Sequence, residues 1–146
     1  MKNNTYIGIT ENRLHHIKAV AEECYRIAKE EGFPEEFCRK MFVIGWNHDI
    51  GYEFSEESLG HAKIGGELIS LIGAHERSVD AITYHGYDME HPTNEWRILN
   101  TADMAVDHMG NRVSVNERLE SIETRYGKES AQYQNAIFLA KKIGLS

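Results

Sequence analysis

Apolar side chains recur at helical spacing along nearly the whole chain. Ile17, Val20, Ala21, Cys24, Ile27 and Ala28 fall on one stripe of a first helix, with Thr10 placed to cap its start and Gly32 to stop it. Pro34 then opens a second helix, with Glu35 and Glu36 in its first turn. That helix is expected to run through Met41, Phe42 and Ile44 to about Asp49, ending at Gly51. A third is predicted over His61 to Leu71, followed by Gly73, and a fourth over Glu76 to Tyr84. Gly86 to Pro92 reads as a loop, and Thr93 caps a fifth helix reaching Val106. Two more amphipathic helices are predicted near Val115 to Tyr126 and Ser130 to Ile143. Strand-type alternation is missing, so the predicted fold is an all-α bundle, an architecture whose core can surround an ion with side chains from several helices.

Composition narrows the class of molecule. The 146 residues suit one domain over 1–146, and 41% hydrophobic with 27% charged residues is ordinary for a soluble protein. No apolar run approaches the roughly 20 residues of a membrane span. The polar stretch Met1 to Thr10 lacks the apolar core of a signal peptide, so a cytoplasmic location and no membrane partner are expected. Cys24 and Cys38 lie among apolar helical positions and read as reduced core thiols. A net charge of −7 argues against polymeric nucleic acid as a partner, because such binding needs many cationic phosphate contacts. It does not exclude a small phosphate, since bound metal ions reverse the local field.

Eight histidines against two prolines make histidine placement informative. In Asn47-His48-Asp49-Ile50-Gly51, His48 and Asp49 would point about 100° apart in mid-helix, whereas relaxed backbone at a helix end lets both serve one site. Taken alone, the pair is equally a local cap. Its company raises its weight: Arg13-Leu14-His15-His16 opens the first helix, and Thr101-Ala102-Asp103 lies in a late one.

This order of His, His-Asp and Asp resembles the HD superfamily of metal-dependent phosphohydrolases over about Arg13 to Asp107. The resemblance implies that His16, His48, Asp49 and Asp103 are metal ligands. His61-Ala62-Lys63-Ile64-Gly65 and Ala81-Ile82-Thr83-Tyr84-His85 are similar to segments that complete a second metal site in some branches, adding His61 and His85. Those branches include cyclic dinucleotide phosphodiesterases, diadenosine tetraphosphate hydrolases and di-iron oxygenases. For His61 the alternative is a helix cap, and for His85 an exposed helix end. A mixed imidazole and carboxylate set suits one or two ions of Fe, Mn, Co, Ni or Zn.

The implied activity is hydrolysis of a nucleotide or another small phosphate ester by metal-activated water, with Asp49 orienting the nucleophile and Glu53 a candidate proton relay. A di-iron oxygenase and a regulatory protein that binds metal or nucleotide without turnover are the alternatives. Many HD hydrolases carry Lys directly after His-Asp-x-Gly, where this chain has Tyr52; Arg13, Lys63 or Arg97 are candidates to supply that cation. Only Gly86-Tyr87-Asp88 follows His85, so the long Gly-Tyr-Pro loop of the cyclic dinucleotide branch is absent. His15 reads as second-layer or surface, His75, His91 and His108 as solvated, and Asp107 as either an orienter of a ligand or an exposed carboxylate. The last two helices complete the core or form a homodimer contact.

Overall fold

Thr10 begins the first helix through its hydroxyl, which accepts a hydrogen bond from the Arg13 amide at 3.2 Å. The computed structural model describes residues 8–55, 57 and 59–145; most of the polar N-terminal stretch lies outside them. Helix α1 (Glu11–Glu30) buries His16, Ile17, Val20, Ala21, Cys24, Ile27 and Ala28 along one face. Gly32 follows with φ +85°, the left-handed turn that ends the helix. Helix α2 (Glu35–Asn47) packs back along α1. The two backbones approach so closely that a Cβ at Gly45 would lie 2.7 Å from Ala21 Cα. Cys24 and Cys38 are both buried and unbridged.

Three helix boundaries differ from the sequence expectation, and the last two shape the site. Pro34 stands at the N-cap of α2, with extended ψ of 152°, rather than within the first turn. More consequentially, α2 stops at Asn47. His48 retains helical angles, Asp49 relaxes to φ −104° and ψ 15°, and a 3-10 turn runs from Ile50–Glu53. Helix α5 (Asn94–Asp103) ends three residues short of Val106. The chain there leaves the helix to form an isolated antiparallel bridge between Val106 and Arg112. The Asp107 carboxylate braces this loop by accepting from the Met109 and Asn111 amides.

Between these elements lie α3 (His61–Leu71) and α4 (Glu76–Thr83). Among the described residues seven α-helices and no β-strand are present. Helices α1 to α5, with Leu139 of the last helix, enclose the main core, including Val20, Met41, Ile82, Trp96, Ile98 and Leu99. Helices α6 (Val115–Tyr126) and α7 (Ala131–Ile143) form a pair over a second, smaller cluster of Met104, Ile122, Ala136 and Ala140. A full Ser114–Glu117 capping box starts α6. No helix among the described residues is long and apolar enough to cross a membrane.

Candidate metal centre

Five segments bring His16, His48, Asp49, His61, His85 and Asp103 together. His16 comes from the first turns of α1, the His48-Asp49 pair from the end of α2, His61 from the first residue of α3, and Asp103 from the last of α5. His85 sits in the turn after α4, which α5 pins in place. There the Asn100 side chain accepts from the Gly86 amide at 2.8 Å, and the Trp96 indole donates to the carbonyls of Tyr84 and Tyr87. Gly51 permits the approach of α3, since a Cβ on it would fall 1.9 Å from the His61 carbonyl oxygen.

Asp49 divides the cluster. Its Oδ2 lies 3.6 Å from His16 Nε2 and 3.4 Å from His48 Nε2, whereas Oδ1 lies 3.1 Å from His61 Nε2 and 3.3 Å from His85 Nε2. Asp103 Oδ1 closes the first half at 2.9 Å from His16 Nε2 and 3.5 Å from His48 Nε2. Two groups of possible ligands result, His16-His48-Asp49 and Asp49-His61-His85, with Asp49 common to both. Donors about 2.1 Å from one ion and at right angles to each other sit about 3 Å apart, so these spacings match chelation.

The imidazoles are oriented for the task. His16, His48 and His85 each place Nδ1 against a backbone carbonyl, that of Asp107 at 2.7 Å, Gly45 at 2.7 Å and Ile82 at 2.6 Å. Donation of Nδ1–H to a carbonyl leaves the Nε2 lone pair facing the centre. His48 Nε2 and Asp103 Oδ1 are buried and make no hydrogen bond among the described residues. His61 Nε2 and His85 Nε2 stand 2.8 Å apart, a contact between nitrogen lone pairs that requires a proton or a cation. Orphaned buried donors and crowded lone pairs are what a cation resolves, so the cluster fits a divalent-metal site.

Electrostatics point the same way. Burial opposes ionisation of Asp49, but His48 and the hydrogen bonds from His61 and His85 hold its carboxyl well below the usual range. Burial likewise opposes ionisation of Asp103, and His16 with His48 keeps it anionic. Burial alone would lower the His48 pKa; the Asp49 and Asp103 carboxylates outweigh it and raise it to about 9. His85 is pushed down, chiefly by burial. Two obligate carboxylates thus draw positive charge into the centre, and in an ion-free protein a proton on His48 partly supplies it.

The centre opens into a cavity of about 130 Å³. Arg13 reaches it, with Nη1 3.4 Å from Asp49 Oδ2 and its guanidinium 3.6 Å above the Tyr52 ring, which itself stacks on His61 at 4.1 Å. The other two candidate cations stay away. Lys63 is exposed, two positions and about 200° around α3 from His61. Arg97 pairs with Glu31 at 2.7 Å on the outer surface of α5. Glu53, the candidate proton relay, is not among the cavity-lining residues; its carboxylate accepts the Ile9 amide at 3.1 Å. Asp107 acts on His16 through its carbonyl, not its carboxylate.

His15, His75, His91 and His108 are all exposed, and of these the cavity lining includes His108. With it come Arg118 and Arg125 from α6 and Gln132 and Asn135 from α7, none of which the sequence reading singled out. The available signal was weak: Arg118, Ile122 and Arg125 share one side of α6.

A model of the HD domain family matches residues 13–130, most of the chain. A ribonuclease Y of Rubrobacter xylanophilus is 33% identical over 94 residues, covering 64% of this chain but only 18% of that relative. The chain therefore corresponds to under a fifth of the relative's length. No solved structure matches.

Proposed function

Because the chain belongs to the HD domain family, we propose that it is a metal-dependent phosphohydrolase acting on a nucleotide or another small phosphate ester. The observation that carries this reading is the pairing of a six-residue His/Asp centre with a cavity whose other charged lining residues, among those described, are Arg13, Arg118 and Arg125. His16, His48, Asp49 and Asp103 would hold one ion of Fe, Mn, Co, Ni or Zn, and His61, His85 and Asp49 a second. Such ions supply Lewis acidity, which makes water a nucleophile at neutral pH and offsets charge on phosphoryl oxygens.

The protein's own groups do the positioning. Carbonyls of Asp107, Gly45 and Ile82 fix three imidazoles in one tautomer. Asp49, anionic and buried, orients the attacking water from the floor of the cavity. Arg13, stiffened by stacking on Tyr52, offers a planar pair of donors to a phosphate at the mouth. It takes the part that the missing lysine plays in other members of the family. The relative's name concerns RNA; for this chain the net charge of −7 and the cavity volume favour a small phosphate over a polymer.

The test is elemental analysis of protein purified without chelator, followed by a panel of nucleotides and phosphate esters with each metal. Turnover of at least one ester is expected, and Arg13→Gln should raise its KM about tenfold with metal content unchanged. Inactivity on every ester, joined to oxygen uptake by the iron-loaded protein with an organic substrate, would replace this reading with a di-iron oxygenase. Tight nucleotide binding without product would replace it with a regulatory role.

A further inference from the structure

Helix α6 presents two arginines to the cavity. Arg118 lies beside the metal centre, with Nε 3.3 Å from the Asp103 carbonyl and Nη2 4.0 Å from Asp103 Oδ1. Its Nη1 is buried and makes no hydrogen bond among the described residues. Arg125 is seven residues later, about 20° around the helix and about 10 Å further along its axis, so both project to the same side. Arg125 also lines the cavity, and is exposed at its rim over the Tyr126 ring.

A buried guanidinium nitrogen without an acceptor is unfavourable in a finished structure. The nearby carboxylate of Asp103 does not satisfy it: it stands 4.0 Å from the other terminal nitrogen and faces His16 and His48. Burial and then the nearby charges of Arg125 and Arg118 lower the His108 pKa, against the opposing pull of Asp107. The acidic residues of α6 lie elsewhere: Glu117 is engaged in the cap, and Glu120 and Glu123 are exposed. The cavity therefore carries a cationic track that starts at Asp103 and runs outward, on the wall formed by α6. Arg13 stands against Asp49 and Tyr52, beside the other carboxylate of the centre.

We propose that Arg118 and Arg125 form a second anion subsite, which receives a phosphate linked to the one held at the metal centre. The protein would accordingly prefer substrates with a chain of phosphates over simple monoesters. This assignment rests on the phosphohydrolase reading for the place of the first phosphate.

The experiment is calorimetric titration of metal-reconstituted protein with orthophosphate, pyrophosphate and tripolyphosphate, metal content being measured before and after. In the wild type, affinity should rise about tenfold or more from the shortest to the longest probe. Arg125→Gln should abolish most of that gain and change orthophosphate binding by roughly twofold at most. Arg118→Gln should weaken all three. Arg39→Gln, on the outer face of α2, should behave as wild type. Removal of metal by the longer probes would affect the wild type and the Arg125 variant alike, so a gain lost only in the variant belongs to the arginine. Equal affinity for the three probes, no binding of any, or an undiminished gain in Arg125→Gln would overturn the subsite. Monoester turnover without a chain-length preference would leave the phosphohydrolase reading standing. A preference without turnover of any ester would keep the subsite and remove the hydrolase.

Discussion

The α1–α5 bundle and the α6–α7 pair solve different problems. In the bundle, apolar side chains close a continuous core and leave polar groups buried only where a partner or an ion awaits them. His16, His48, Asp49 and His85 are each at most 3% exposed, yet three of the four have a carbonyl anchoring them from behind. The α6–α7 pair has a small core, with Ile122 its only buried residue from α6 among those described, and spends its inner face on Arg118, Arg125, Gln132 and Asn135. One part gathers a His/Asp cluster that fits a metal ion. The other lines the cavity beside it with the arginine and amide side chains to which the anion is assigned in our proposal. Metal affinity and substrate preference should therefore separate on mutation.

The largest effect expected is on the first part. His48→Ala/Asp49→Ala removes groups from both halves of the cluster and should take metal content from about two ions per chain to none, read by elemental analysis. His61→Ala/His85→Ala should leave about one ion, because the His16-His48-Asp49 group and Asp103 are intact. Loss of all metal in that variant would show that the two halves are not separable.

Gly51→Ala presses a methyl group against the His61 carbonyl and should destabilise the fold by about 2–3 kcal/mol in urea unfolding, while lowering metal content through a displaced α3. Ile122→Ala tests the second part. It should cost about 2 kcal/mol in the same measurement and leave metal content unchanged, sharpening the contrast between the two parts. Metal loss in Ile122→Ala would break the comparison.

The smallest effect is on acid stability. The Lys29 ammonium and the Tyr25 hydroxyl hold the Glu35 pKa at about 2, against an ordinary 4.5. Because the folded value is the lower one, this tie between α1 and α2 is complete above pH 4.5 and is lost as the pH falls toward 2. The group is exposed and screened, so Glu35→Gln should flatten the fall in Tm across that window only slightly. A variant with an unchanged acid profile would assign the slope to other carboxylates.

Much of this division was legible before the structure. Helix stripes, the Thr10 and Thr93 caps and the Gly32 stop depend on neighbours within one or two turns, and their physics is written locally. The His-Asp pair was readable for a related reason: ligands beside a helix end are constrained by nearby backbone. Proximity between distant segments was not readable. Lys63 and Arg97 matched the need for a cation as well as Arg13 did, and only packing showed that one faces solvent and the other joins Glu31. Glu53 stood close to the centre in sequence but turned toward Ile9.

By itself, then, the sequence determined an all-α chain with a metal-type set of histidines and aspartates, because helix periodicity and ligand chemistry are properties of residue type and spacing. Tertiary structure decided which atoms meet. The carbonyl of Asp107 orients His16 from 91 positions away, and Arg118 finds Asp103 only because α6 folds back over the end of α5. In the sequence nothing gave the arginine face of α6 a role. Closure of the chain over the cavity, which no local pattern encodes, turned that face into a wall of the site.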